Sequence, residues 1–510
     1  MTDAAINLTH YFFSETKNQN LQNRIAIEYR SQKITYGELT EAIGSAGEFL
    51  LGKGILPGDR VGLWLHDSPD FIVFFLAVIS IDAIAIPINT YIPAKEIEFI
   101  LKDAGVRFLI AHHDLIVKGI DTLSGSLEVL SLDVNQSVSF ARSLQLEQPV
   151  KHQGFQGQSK PENPAFILYT SGSTGTPKGA IHRQRDVIFT IETYAKNILR
   201  LTENDKIFSS SRLYFAYGLG NSLSFPLGAG CTVILEPERP TPPLIAKIFK
   251  QQQPTVFFGV PAVYRALLDF HQSIERLNVA NIRLWVSAGE ALPAAIFHEW
   301  KHEFGMEILD GIGSTEMLHI FISNHPGKAR AGSSGQVVSG YEAKLVDEQG
   351  NELAGEGTGN LYVKGDSAML GYWQREGLTG QVIQDDWVKT GDVYRRDNEN
   401  YFYHIGRTDD CFKVKGLWVS PIEVESALLE HPAIVEAAVI AGTTATGLAT
   451  AKAFLVIRKE QAEILTADEI ISFMCDRLPT YKIPTAYEFI DEMPRTTTGK
   501  VQRFKLRKLD

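Results

Sequence analysis

Short apolar runs separated by stretches of helical spacing dominate the first two thirds of the chain. Residues 25–29 and 34–36 read as the arms of a hairpin, and a 3.6-residue rhythm over 38–51 predicts a helix behind them. Apolar runs at 60–65, 84–88 and 108–111 predict strands, with a helix over 71–79 between the first two. Strands spaced by helices imply parallel βαβ units. A polar stretch at 151–163, rich in Gly, Gln and Pro, predicts a surface loop, and a strand at 165–169 follows it. Further strands are expected at 232–235, 255–258, 284–287 and 307–309. From 335 to 403 the rhythm changes to brief strands and glycine-rich turns, a β-rich subdomain, and beyond Arg407 the chain reads as a smaller α+β segment. No internal repeat and no low-complexity tract is present.

The most apolar stretch, 71–88, carries Asp82 at its centre and Pro87 near its end. A membrane-spanning helix needs about 20 apolar residues without charge. The pattern fits a buried helix followed by a buried strand, and no membrane association is expected.

A chain of 510 residues exceeds one ordinary core, so two or more domains are expected. With 44% hydrophobic and 21% charged residues, the composition is that of a soluble globular protein. Acidic residues outnumber basic ones, 60 to 49, which speaks against a nucleic-acid-coating protein but leaves room for a small anion held by a loop. Cys231, Cys411 and Cys475 are far apart and form no C-x-x-C pair, which speaks against a zinc knuckle or a disulfide framework. Unpaired thiols, and an N-terminus without a basic segment leading into an apolar run, point to the cytoplasm.

The richest chemistry lies in Tyr169-Thr-Ser-Gly-Ser-Thr-Gly-Thr-Pro-Lys-Gly179. Its glycines permit turns in which consecutive N–H groups converge on phosphate oxygens. Thr170, Ser171, Ser173 and Thr174 add hydroxyl donors, Gly172 and Gly175 give room, and Lys178 adds a mobile cation. It is not a Walker A loop, because Pro precedes the Lys and Gly follows it. A flexible Gly/Ser linker would look similar in isolation. An apolar strand before the loop and a helix expected after His182 favour a phosphate site at a strand end.

With this string the sequence resembles the adenylate-forming superfamily of acyl-CoA synthetases, peptide-synthetase adenylation domains and luciferases, over nearly the whole chain. The resemblance implies an α/β fold: a large N-terminal domain of βαβ subdomains plus a small β-rich subdomain, followed by a smaller mobile α+β C-terminal domain. The boundary falls at residues 1–408 and 409–510. It also implies ATP, Mg²⁺ and coenzyme A as substrates and metal, with no prosthetic group.

Further motifs carry that resemblance in order. In Gly311-Ile-Gly-Ser-Thr-Glu316 it makes Glu316 the Mg²⁺ ligand and sets Thr315 on the α-phosphate. A carboxylate beside a phosphate loop can hold such a cation; otherwise it is a solvated turn residue. In Ser287-Ala-Gly-Glu-Ala-Leu292 the backbone, with Gly289 and Glu290, is expected along the adenine. Asp392 of Thr390-Gly-Asp392 is expected on the ribose, and Arg407 on ribose or phosphate. Asp409 is implied as the hinge, which must absorb a large backbone rotation. Lys500, near the C-terminus, is implied as the catalytic lysine that stabilises charge in the first half-reaction. Lys415 and Gly416 are expected to line the pantetheine tunnel, where many relatives have a small residue in place of Lys415.

Leu213-Tyr-Phe-Ala-Tyr-Gly-Leu-Gly-Asn221, the stretch from Gly311 to His319, and Glu238-Arg-Pro-Thr-Pro242 look like benzoate-CoA ligases and related aryl-CoA ligases. The resulting pocket candidates are Ala216, Tyr217, Ala288, Gly311, Ile312 and His319, with Tyr217 as a wall for a flat ring. Each aromatic could equally be core packing. The implied function is an ATP-dependent ligase joining a benzoate-like acid to CoA through an acyl-adenylate. Loading of a carrier protein's phosphopantetheine is the alternative acceptor. A luciferase-like monooxygenase and a silent nucleotide-binding scaffold are the other readings, and a homodimer is left open.

Overall fold

The computed structural model describes residues 7–14, 20–119, 127–133, 157–171, 176–415, 417–444, 448–458, 465–495 and 501–508. The chain forms two compact units, Met1–Glu342 with Val363–Val388, and Ala343–Tyr362 with Lys389–Asp510.

The first unit opens with a hairpin, β1 (Ile25–Tyr29) and β2 (Gln32–Thr35). Then β3 (Arg60–Trp64), β4 (Ile84–Pro87), β5 (Phe108–His112) and β6 (Glu128–Leu132) alternate with helices. A second hairpin, β7 (Pro164–Ser171) and β8 (Pro177–Arg183), brackets the glycine-rich loop. After it come β9 (Lys206–Ser209), β10 (Thr232–Leu235), β11 (Val256–Gly259), β12 (Leu284–Ser287), β13 (Ile308–Gly313), β14 (Ile320–Ser323) and β15 (Gln336–Val337). One sheet has the order β8-β7-β4-β3-β5-β6, parallel except for the β7–β8 hairpin. The other has the order β15-β14-β13-β12-β11-β9-β10-β1-β2, parallel from β13 to β1 and antiparallel at both edges.

Local chemistry explains the elements. Thr35 and Glu38 form a capping box that starts the helix Tyr36–Gly52. Ser68 caps the helix Pro69–Ser80, with Pro69 in the first turn. Every residue of that helix is buried, and it packs on the helix Tyr36–Gly52 and on β3 and β4. The apolar run is therefore a buried helix followed by the buried strand β4. Among the described residues no helix is long and apolar enough to cross a membrane.

The β-rich stretch follows, with β16 (Glu342–Val346), β17 (Gly357–Lys364), β18 (Gly371–Tyr372), β19 (Ile383–Gln384), β20 (Trp387–Arg396) and β21 (Phe402–Arg407). β18 returns to the first sheet and pairs with the outer edge of β8. In the second unit, β22 (Phe412–Val414) and β23 (Leu417–Val419) form a hairpin, and β24 (Ile434–Thr443), β25 (Ala449–Ile457) and β26 (Ala486–Phe489) form a sheet. Helices Pro421–Leu429 and Ala467–Cys475 cover it, burying Val424, Leu428, Ile470 and Met474 against Val439 and Leu455.

The expected strands and helices are present, including the parallel βαβ units. The part of the polar stretch at 157–163 has neither helix nor strand. The helix expected after His182 is Gln184–Thr190, but an unanticipated strand, β8, lies between it and the glycine-rich loop and pairs back on β7, with Thr170 opposite Lys178. Pro177 and Gly179 disguise β8 in the sequence, and pairing with the apolar residues of β7 makes it a strand.

Candidate nucleotide and acyl site

Lys178 lies on β8, Glu316 in the turn after β13, and Tyr372 on β18. These distant stretches meet. The Lys178 Nζ donates to the Tyr372 hydroxyl at 2.5 Å and stands 4.1 Å from its ring centroid. The same hydroxyl donates to Glu316 Oε1, and the ammonium and carboxylate are 3.5 Å apart. Lys178 is thus bonded to Tyr372 and paired with Glu316. Both charged side chains remain about one fifth exposed, so each can reach a ligand.

Buried contacts hold the turn that carries Glu316. His182 Nε2 lies 2.7 Å from the Thr315 carbonyl oxygen, and its Nδ1 lies 3.1 Å from Asp186. Asp186 also accepts from the Arg183 side chain, whose other arm donates to the Ala368 carbonyl. A second hub braces the start of the loop. Asp103 accepts from the Tyr169 hydroxyl at 2.7 Å and from Arg375 at 2.7 Å, while its carbonyl accepts from the Trp373 indole at 3.1 Å.

Thr170 and Ser171 end β7. Gly172, Ser173, Thr174, Gly175, Gly416 and Lys500 lie outside the described residues. At the end of β12, Ala288 is buried while Gly289 and Glu290 are exposed, and Gly289 has φ +92, which glycine adopts without strain. Next to this turn Asp310 is buried on β13, and burial pushes its carboxyl well above the ordinary carboxylate range.

The acyl candidates cluster at the ends of β11, β12 and β13. The Tyr217 hydroxyl donates toward the Gly259 and Val286 carbonyls at 3.3 and 3.4 Å. Its ring lies 5.4 Å from that of His319, which also contacts Phe225 at 4.4 Å and Tyr194 at 5.5 Å. His319 Nε2 meets Asn221 Oδ1 at 3.1 Å. Asn221 lies in a one-turn π-helix, Gly220–Ser224, a distortion common at functional sites. Gly220 lets the ring pack, because a Cβ there would stand 2.3 Å from His319 Cδ2. Burial pushes His319 down to about 3, so the ring is neutral. At 2% exposure it is packed beside Tyr217. Ala216 and Gly311 are buried, and Ile312 is partly exposed.

The second unit carries its own set. Asp392 Oδ1 accepts from Arg407 at 3.1 Å and lies 3.4 Å from His404 Nε2. Burial opposes ionisation of Asp392, but His404 and Arg407 outweigh it and hold the carboxyl below its ordinary range. Asp409 is exposed in a turn, and its carbonyl accepts from Arg507 at 2.9 Å. Lys415, with φ +53, sits at the tip of the β22–β23 hairpin and is exposed.

Sequence reasoning missed Tyr372, Asp103, His182, Asp310 and Asn221. Asp310 borders the Gly311–Glu316 motif and Asn221 ends the Leu213–Asn221 stretch, which was a usable signal. Nothing local marks Tyr372 or Asp103. Among the described residues no group of three His, Cys, Asp or Glu could hold a metal.

Residues 13–373 match the AMP-binding enzyme family, and residues 423–500 match the AMP-binding enzyme C-terminal domain. The chain belongs to this adenylate-forming family, with its large α/β N-terminal domain and small C-terminal domain. It is 39% identical to a benzoate–CoA ligase of Thauera aromatica over 93% of this chain and 90% of that one. Its fold matches an anthranilate CoA ligase solved with anthranoyl-AMP, with TM-score 0.90, 36% identity, and 100% and 98% of the two chains covered. It also matches a benzoate CoA ligase from Burkholderia xenovorans LB400, with TM-score 0.86, 36% identity and 98% and 100% covered. Within the family, this chain is an AMP-forming acid–CoA ligase of the aryl-CoA ligase group.

Proposed function

We propose that this protein activates a benzoate-like aromatic acid as its acyl-adenylate and transfers the acyl group to coenzyme A in the cytoplasm. One observation carries the reading: the Tyr217 ring, packed against His319, bonds the ends of β11 and β12, next to β13, whose continuation carries Thr315 and Glu316. An aromatic wall beside a paired Lys and Glu suits a flat acid next to a triphosphate. Among the described residues of that wall, His319 is held neutral by burial, and an uncharged wall favours an apolar ring over a dicarboxylate.

A carboxylate is a poor acyl donor, because oxide would have to leave. In the proposed first step a carboxylate oxygen attacks the α-phosphorus of ATP, and the bond to the bridging oxygen breaks with loss of pyrophosphate. Lys178 and the loop hydroxyls of Thr170, Ser171, Ser173 and Thr174 hold phosphate oxygens, with Gly172 and Gly175 giving the backbone access. Thr315 holds the α-phosphate, and Lys500 meets the charge developing between carboxylate and phosphorus. Gly289 and Glu290 line the adenine, and Asp392 with Arg407 takes the ribose.

Glu316 fits Mg²⁺, because a lone carboxylate with phosphate oxygens is how that ion is commonly bound. When bound, Mg²⁺ would offset charge on the phosphates. In the second step the CoA sulfur attacks the acyl carbon, the thiol proton passes to solvent, and AMP leaves with the electrons of the C–O bond. Lys415 and Gly416 line the thiol's path. A division at 1–408 and 409–510, turning about Asp409, separates the two steps.

The test is AMP formation from ATP and Mg²⁺ with benzoate, hydroxybenzoates, anthranilate, cinnamate and fatty acids, each with and without CoA. CoA-dependent turnover with a benzoate is expected. Adenylate formation without CoA turnover would point to a carrier protein, and fatty-acid preference would overturn the aromatic pocket.

A further inference from the structure

We infer that Tyr372 is a positioning residue of the nucleotide site, setting Lys178 and Glu316 for a metal-bound triphosphate. The inference rests on the proposed roles of those two residues and adds a third group from a separate part of the chain.

An ammonium and a carboxylate left alone would close to a direct contact of about 2.8 Å. Such a pair satisfies itself, and an incoming nucleotide would first have to break it. Here the Tyr372 hydroxyl sits between them. Its proton goes to Glu316 and one lone pair takes the Lys178 ammonium, leaving the two charges 3.5 Å apart. The ring also stands under the ammonium, a favourable cation–π arrangement.

The hydroxyl can act this way only if it is itself fixed. Tyr372 is buried, and its backbone N–H donates to Thr379 Oγ1 at 2.9 Å. Its strand pairs with β8, the strand that carries Lys178, with Tyr372 opposite Ala180. On either side Leu370 N–H donates to the Ile181 carbonyl and Trp373 N–H to the Gly179 carbonyl, both at 2.8 Å. The Trp373 indole and the Arg375 side chain both bond Asp103.

Phosphate oxygens at Lys178 and a cation at Glu316 would each compete for a group that the hydroxyl now holds. Tyr372 therefore links the nucleotide's charge to the metal's. Without the hydroxyl, Lys178 and Glu316 close on each other and compete with the ligand.

The test is Tyr372→Phe, which keeps the ring, studied by calorimetric titration with ATP, with and without Mg²⁺, in the absence of acid. The Kd for ATP with Mg²⁺ should rise about tenfold, the scale of a hydrogen bond to a charged group. The strengthening of ATP binding by Mg²⁺ should shrink. The KM for the aromatic acid and the melting temperature should stay at wild-type values, whereas a merely structural role would move both. Lys178→Ala and Glu316→Gln serve as controls. If both weaken ATP binding while Tyr372→Phe binds like wild type, the Tyr372 role is wrong and the site reading stands. If neither control weakens binding, both fall.

Discussion

Gly220 makes room for the His319 ring that packs against Tyr217, and Gly220→Ala should damage the proposed acyl wall selectively. The added Cβ would stand 2.3 Å from His319 Cδ2 and 2.7 Å from Nε2. Carbon atoms pack at about 3.5–4.0 Å, so the imidazole must retreat by roughly 1 Å or more. The rings of Phe225, Tyr217 and Tyr194 surround it at 4.4, 5.4 and 5.5 Å between centroids. Overpacking of this kind costs about 1–3 kcal/mol. Loss of the Asn221 contact adds about 1 kcal/mol. The better helix propensity of Ala returns about 1 kcal/mol. The net is a destabilisation of about 1–3 kcal/mol. The shift passes through His319 to Tyr217, so the KM for the aromatic acid should rise about tenfold, the effect of about 1.4 kcal/mol. The KM for ATP should not change. Pyrophosphate exchange with varied acid and varied ATP, together with thermal melting, gives the readout. An alanine variant with wild-type acid KM and unchanged stability would refute the argument.

Three further outcomes follow from buried charge and bracing. His319 titrates in the unfolded chain near its ordinary 6.5 but only at about 3 in the fold, so stability is full above 6.5 and falls as pH drops below it. Between pH 7 and 5 this amounts to about 2 kcal/mol, and His319→Gln should lose less over that interval in urea unfolding; equal losses would contradict it. Asp392 has a depressed folded pKa, so its contribution is present above the unfolded value of 3.8 and fades as pH falls through the folded one. Arg407→Gln should therefore start acid unfolding of the second unit at higher pH, as read by circular dichroism, and an unmoved acid limb would count against it. Asp103→Ala removes the shared partner of Tyr169 and Arg375, and should cost about 2 kcal/mol and raise the KM for ATP severalfold while sparing the acid KM.

The alternation of apolar runs and helical spacing determined the βαβ series, because burial on both faces of a parallel strand demands continuous apolar residues. The glycine-rich string and the Gly311–Glu316 turn stood out for a related reason: the phosphate binding proposed for them needs small residues and donors close together in sequence. β8 was not legible, because Pro177 and Gly179 carry no strand signal and only pairing with β7 decides their state.

Lys178, Glu316 and Tyr372 are separated by long stretches of chain, and no local pattern states that they touch. Their meeting depends on β18 returning to the edge of β8 and on His182 pinning the turn after β13. His319 read either as a lining residue or as core packing, and only tertiary packing shows it buried against Tyr217. Local sequence thus determined the elements and the chemistry each could carry. Long-range pairing alone decided which groups meet, because hydrogen bonds and charge act over a few ångströms of space, whatever the distance along the chain.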